Sequence, residues 1–298
     1  MKLLVTGASG FIGQYVINAL QHKSYEVHSI SHKKTALKKF DEIKKHKINL
    51  FNQRETEQLI SEVRPSHLLH LAWYAEPPYF WDSEKNIDWV AASENLLKSF
   101  YSHGGYRAVF AGSCAEYSNF NQLVDEQHQY LNPSTLYGKS KNKLNHFINQ
   151  YCANKQISTC WGRVFFPYGR HEPKNKYFSS IISTLAKKKN FLCKNPLVYR
   201  DYIHVFDIAN AFVNLVESDF EGSINISSGN AYNLGDIAKK IEQKMNLSGQ
   251  IIFRASNQTD DSNPLYIVGN NKLIKSLGWV EHYDLDKGIE AMIGDYSL

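Results

Sequence analysis

Residues 1–13 constrain this chain more than any other segment: the apolar run Lys2-Leu-Leu-Val-Thr6 is followed by glycines at 7, 10 and 13, where a helical pattern begins. Glycines spaced three apart at a strand-to-helix turn let backbone N–H groups and a helix N-terminus approach a pyrophosphate. Gly7, Ser9, Gly10, Phe11, Ile12 and Gly13 are therefore the candidate lining of a dinucleotide cradle. A loop of this kind opens a βαβ unit, so strand and helix patterns should alternate after it.

They do. Lys2–Thr6, Glu26–Ile30, His67–Ala72, Ala108–Ala111 and Ile157–Arg163 read as buried parallel strands. Helical stretches at Ile12–Gln21, Glu55–Val63, Ile87–Ser102 and Tyr137–Ala153 separate them. The expected class is α/β, a Rossmann-type doubly wound parallel sheet with a smaller C-terminal substrate-binding region. Residues 1–166 would form the dinucleotide-binding domain, with 201–217 returning to it, and 167–200 and 218–298 would form the substrate-binding region. In the return, Tyr202–Val205 reads as strand and Asp207–Glu217 as helix.

A chain of 298 residues that is 43% hydrophobic and 21% charged can bury a full core. No apolar run approaches the ~18 residues of a membrane span, and Met1 leads into the first strand without a cleavable leader. Residence in the cytoplasm is expected, with no membrane partner. Cys114, Cys152, Cys160 and Cys193 lack a C-x-x-C spacing, so reduced thiols and no metal site are expected. Cys114 reads as a small thiol packed behind a site rather than a nucleophile. A net charge of +5 would suit a nucleic acid, but no helix-turn-helix, zinc or RNA-recognition signature accompanies it, so none is expected as a partner.

Tyr137 and Lys141 stand four apart and share a helix face. An ammonium beside the phenol would favour phenolate and lower a tyrosine pKa from about 10, giving an acid/base group suited to neutral pH. The competing reading is a helix pair that is half core and half surface.

Several motifs in order resemble the extended short-chain dehydrogenase/reductase family, the branch of nucleotide-sugar epimerases, dehydratases and reductases. They are Thr6-Gly-Ala-Ser-Gly-Phe-Ile-Gly13, His70-Leu-Ala72, Phe110-Ala-Gly-Ser113-Cys-Ala-Glu-Tyr117, Arg163-Val-Phe-Phe-Pro-Tyr-Gly169, Arg200-Asp-Tyr-Ile-His-Val205 with Asp207, and Leu277-Gly-Trp279. The resemblance implies that Tyr137 exchanges a proton with the substrate oxygen, that Lys141 holds the nicotinamide ribose and tunes the phenol, and that Ser113 bonds the same oxygen. It adds Leu50, Leu71, Ala72, Trp73 and Val164 to the cofactor lining. It also implies a homodimer packed through the helices at Ile87–Ser102 and Tyr137–Ala153. Fold alone does not imply activity, so a catalytically silent NAD(P)-binding sensor is a further reading.

The end of the second strand bears on the cofactor. NAD sites place an acid there for the ribose 2′-hydroxyl, and no acid lies between Val27 and Phe40. Ser31, His32, Lys33 and Lys34 could instead surround a 2′-phosphate, which favours NADP(H) over NAD(H). The alternative is a solvated basic stretch continued by Lys38, Lys39, Lys44, Lys45 and Lys47.

Departures from the family pattern narrow the reaction. Cys114 and Ala115 stand where dehydratases carry an Asp-Glu pair, and Glu116, on a continuing strand, would point away from Ala115. The expectation is NADPH-dependent reduction of a dTDP-, CDP- or GDP-linked 4-keto-6-deoxyhexose in surface polysaccharide (O-antigen) sugar biosynthesis, with an NAD-dependent nucleotide-sugar 4-epimerase as the alternative. Arg200 would contact the nucleotide diphosphate or form a core salt bridge with Asp201 or Asp207. Phe166 stands where relatives carry Asn, and no arginine occupies the usual place before Pro264-Leu-Tyr266. The aromatic loop Trp73-Tyr-Ala-Glu-Pro-Pro-Tyr-Phe-Trp81 offers Trp73, Tyr74 and Trp81 either as the hexose wall or as core anchors.

Overall fold

The computed structural model describes residues 1–30, 42–117, 122–127, 131–254 and 266–294. Strands β1 (Lys2–Thr6), β2 (Glu26–Ile30), β3 (Lys44–His46), β4 (His67–His70) and β5 (Arg107–Ser113) alternate with helices α1 (Phe11–Leu20), α2 (Gln53–Val63) and α3 (Lys85–Ser102). Helix α4 (Leu136–Cys152) leads into the strand Ser158–Val164, and after α5 (Tyr177–Ala186), α6 (Val205–Glu217) leads into Gly222–Ile226. These strands form one seven-stranded parallel sheet in the order Gly222–Ile226, Ser158–Val164, β5, β4, β1, β2, β3.

The strands read as apolar runs because both faces of the sheet are covered. Leu3 and Val5 of β1 face α1 and α6 in one core, while Leu4 faces α2, α3 and α4 in the other. Burying each such side chain contributes about 1.5–3 kcal/mol. The chain order reverses between β1 and β4, which lie side by side with Thr6 opposite His70. At this switch point the loops leaving the two strands diverge and leave a crevice, the usual place for a ligand in an open α/β sheet.

A smaller layer lies beyond. It has a four-stranded sheet of Tyr232–Asn233, Tyr199–Arg200, Tyr266–Gly269 and Gln122–Val124, and two strand pairs, Tyr202–His204 with Phe166–Tyr168 and Ile251–Phe253 with Phe191–Cys193. Its own core holds Tyr168, Phe178, Ile181, Ile237 and Ile289.

Three expectations change here. Gly222–Ile226, assigned from sequence to the substrate-binding region, pairs with Ser158–Val164 and closes the main sheet. The strand Tyr202–His204 pairs with Phe166–Tyr168 instead of the main sheet, and α6 makes the return by packing on α1. Glu116 does not continue β5: Cys114–Glu116 is a single 3-10 turn, because Ser113 caps it. Among the described residues, no helix is long and apolar enough to cross a membrane, and no group of three or more His, Cys, Asp or Glu could hold a metal.

Candidate active site

The glycine loop is shaped by close approach. Gly7 has φ +70°, and a Cβ there would lie 2.7 Å from the Ala72 nitrogen and 2.8 Å from the Leu71 carbonyl carbon. A Cβ on Gly13 would fall 2.1 Å from the Gly7 oxygen. These two positions let α1 start directly over β1. Gly10 is the helix cap, and the first turn of α1 carries no acid, so its N–H groups present unopposed positive charge. A dinucleotide pyrophosphate fits this cradle.

A buried relay fixes the cradle to the next strand. Thr6 Oγ1 donates to His70 Nδ1 at 2.7 Å and accepts from the Ala72 N–H at 3.2 Å. His70 Nε2 meets Ser93 Oγ at 2.9 Å, and Ser93 donates onward to the Trp89 carbonyl at 2.6 Å. The network assigns the Nε2–H tautomer. Burial pushes His70 down to about 3, so it is a neutral strut. Ser9, Phe11 and Ile12 lie in the loop and the first turn of α1, Leu50 is buried on the α2 side of the sheet, and Val164 sits opposite Ser113 across the strand pair. Ser31, His32, Lys33 and Lys34 lie outside the described residues.

Ser113, Tyr137 and Lys141 converge at the end of β5. Thr135 caps α4 by accepting the Gly138 N–H at 3.1 Å. A Cβ on Gly138 would sit 2.2 Å from the Ala115 oxygen, so only glycine lets α4 press its first turn onto the turn after Ser113. The Ser113 hydroxyl lies near enough to the Tyr137 phenol to favour its charged form. Lys141 is 3% exposed, donates to the Ala111 carbonyl at 2.8 Å and lies 3.7 Å from the Trp73 ring centroid.

The expected electrostatics are reversed. Burial pushes the Tyr137 phenol above its ordinary value, with the nearby Ser113 hydroxyl opposing that shift. Burial also pushes the Lys141 ammonium down to about 7, opposed by the Glu116 carboxylate. The ammonium is 5.9 Å from the Tyr137 ring centroid and leans on Trp73 instead, so it does not draw the phenol down. Cys114 is pushed up to about 12 by burial and remains a thiol.

The aromatic loop folds over the same tyrosine. The Tyr137 N–H donates to the Trp81 carbonyl at 2.8 Å and the Leu136 N–H to Asp82 Oδ1 at 3.2 Å, so the loop supplies acceptors for the first turn of α4. Phe80, Trp81 and Trp73 stand edge-on to the Tyr137 ring at 4.9, 5.8 and 6.5 Å. Tyr74 is turned to Lys85, whose ammonium lies 4.4 Å from its ring centroid. Loop docking and a wall at Tyr137 are thus one arrangement, and Phe80, passed over in the sequence reading, is its buried member.

Arg200 is buried, donates to the Tyr199 carbonyl at 2.7 Å and lies 5.4 Å from the Phe166 ring centroid. Among the described residues no ion pair joins it to Asp201 or Asp207. Asp201 accepts from Ser228, Gly229 and Gly269. Asp207 accepts from the His282 and Tyr283 N–H groups. Arg200 and Lys176 both lie within electrostatic reach of the Cys114 thiol, the residue after Ser113. Lys176, at the N-terminal end of α5, carried no motif that the sequence reading could use.

The profile of the NAD dependent epimerase/dehydratase family matches residues 3–235. The chain is 27% identical to CDP-abequose synthase of Salmonella typhimurium over 307 residues, covering 98% of this chain and 97% of that protein. It is 27% identical to dTDP-4-dehydro-6-deoxyglucose reductase of Escherichia coli over 311 residues, covering 98% and 96%. UDP-glucose 4-epimerase of Rhizobium meliloti is 25% identical over 316 residues, covering 95% and 93%.

Proposed function

The chain belongs to the NAD-dependent epimerase/dehydratase family, and on that footing we propose that it is an NADPH-dependent reductase of a nucleotide-linked 4-keto-6-deoxyhexose, serving surface polysaccharide synthesis. One observation carries the reading: Ser113 and Tyr137 offer hydroxyls at one point, while the next two positions, Cys114 and Ala115, offer no second acid–base pair. The site can move one proton to or from one oxygen. It has no groups at those positions for removing water from a neighbouring carbon.

The dinucleotide supplies hydride. Ser113 and Tyr137 hold the ketone oxygen, and the Tyr137 hydroxyl releases its proton to that oxygen as its carbon accepts hydride, giving the alcohol. A phenol held above its ordinary pKa stays protonated, as the reductive direction requires. Lys141, on the same face of α4, would hold the nicotinamide ribose of the bound dinucleotide. Trp73, Phe80 and Trp81 exclude water and offer apolar surface to a deoxysugar. Arg200, with Lys176, would be the cations that take the nucleotide diphosphate. The sequence, without an acid between Val27 and Phe40, supports NADP(H).

The family and the 25% identity to a UDP-glucose 4-epimerase keep a second reading, 4-epimerisation with retained NAD. Both use the same three residues and differ in net redox change. NADPH and NADH titrations followed by nicotinamide fluorescence, then addition of dTDP-, CDP- and GDP-4-keto-6-deoxyhexoses with absorbance at the reduced-nicotinamide band, separate them. Tight NADPH binding and ketosugar-dependent loss of the band are expected. Protein that carries NAD and shows no net oxidation would establish the epimerase, and binding of neither dinucleotide would end both readings.

A further inference from the structure

Glu116 has no part in the chemistry above, yet it is fully buried directly beneath it. Its Oε1 accepts the Ser113 N–H at 2.7 Å. Trp161 Nε1 donates to both of its oxygens at 2.9 and 3.0 Å, and Arg163 Nε donates to Oε2 at 2.9 Å. Arg163 is anchored in turn: its Nη1 donates to the Tyr117 hydroxyl at 3.2 Å, which donates to Asn225 Oδ1 at 2.6 Å. The carboxylate cannot turn without breaking bonds to three residues.

The other half of the arrangement is Ser113 itself. Its Oγ accepts the Ala115 N–H at 3.2 Å, so Ser113 and Glu116 form a reciprocal capping box around one turn. With a backbone donor on one lone pair, the serine hydroxyl keeps its single proton for another acceptor, which in the proposed reaction is the substrate oxygen.

We propose that Glu116 is a positioning residue for the active site: it locks the capping box that aims the Ser113 hydroxyl, and its carboxylate is the fixed negative charge facing Lys141. This rests on Ser113, Tyr137 and Lys141 being the reacting groups. A buried carboxylate–guanidinium pair adds little net stability, because desolvation offsets the attraction, so its effect here is geometric and electrostatic. Lys141 is met by the Ala111 carbonyl of β5, neutral His70 of β4, the rings of Trp73 and Trp161, Tyr137 on its own helix, and Glu116. Among these only Glu116 is a carboxylate.

Glu116→Gln and Glu116→Asp test this in the full-length protein by two readouts. The first is steady-state turnover of the substrate the wild type accepts. The second needs no substrate: an NMR titration of the Lys141 side-chain nitrogen in ¹⁵N-lysine protein, assigned by its absence in Lys141→Arg. In Glu116→Gln the carboxamide sets its own N–H against the donors of Arg163 or Trp161. The expected result is a kcat loss of about ten- to a hundredfold with KM little changed, and a Lys141 midpoint lowered by about one pH unit. Glu116→Asp, one methylene shorter with its charge kept, should lose kcat and leave the Lys141 midpoint in place. Wild-type kcat and midpoint in folded Glu116→Gln would overturn the proposal. So would a lowered melting temperature with turnover per folded molecule and midpoint unchanged. If wild type turns over no nucleotide sugar, the functional reading fails by itself, and the Lys141 titration alone decides for or against Glu116.

Discussion

Asn86 is fully buried and its amide is bonded at both ends to the wall of the site. Its Oδ1 accepts the Trp73 indole N–H at 2.8 Å, and its Nδ2 donates to the Phe80 and Ser83 carbonyls at 2.7 and 2.9 Å. One side chain thus sets the ring that lies on Lys141 and the loop that lies on Tyr137. Truncation in Asn86→Ala strands the Trp73 indole N–H and the Phe80 carbonyl, while the Ser83 carbonyl keeps the Asn86 backbone N–H, so a stability loss of about 2–3 kcal/mol is expected in urea unfolding. Turnover should fall with it, because Trp73 and Phe80 lose their register, while dinucleotide affinity, set at the glycine loop, should change little. The lysine carries a related lesson. Helical spacing placed Tyr137 and Lys141 on one face, yet the sign of the tyrosine shift came from burial, which a four-residue spacing does not encode.

At the scale of elements, the glycine loop is the part that tolerates least. Gly13→Ala would drive a methyl into the Gly7 carbonyl and separate α1 from β1. Dinucleotide affinity should drop by about a hundredfold in a fluorescence titration, since backbone donors displaced by even an ångström no longer converge on the phosphate. Gly294→Ala, where a Cβ meets nothing within 4 Å, should bind as wild type and serves as the control. The loop and α4 were legible because glycine spacing and helical periodicity are local signals. The turn Cys114–Glu116 carried a signal of the same kind, Ser-x-x-Glu, which marks a capped turn. Reading it as continuing strand hid the contact between Glu116 and Ser113. The aromatic loop gave no such signal: Phe80 and Tyr74 are equivalent in the sequence, and docking on α4 decided which one reaches Tyr137.

For the whole molecule, α3 and α4 lie side by side and carry a half-buried aromatic group packed at the rim of their core. Phe147 stacks on Tyr151 at 5.6 Å, Tyr101 stands edge-on to Tyr151 at 6.3 Å, and Lys98 lies 5.0 Å from the Phe147 ring centroid. We propose that these helices form the homodimer that the family resemblance implies. Sedimentation velocity should give a dimer, and Phe147→Glu a folded monomer, because two copies of that charge would meet across a two-fold axis. The sequence by itself determined the class of the sheet, the strand that opens it, the glycine turn that follows and the helix bearing Tyr137 and Lys141. Each depends on contacts within a few residues or on a period of two or 3.6. Only the tertiary structure decided that Gly222–Ile226 closes the main sheet, that Glu116 pairs with Arg163 beneath Ser113, and that Trp73 lies on Lys141. Those contacts join residues tens of positions apart, and they are selected by packing and desolvation when the layers close, for which a linear sequence has no local mark.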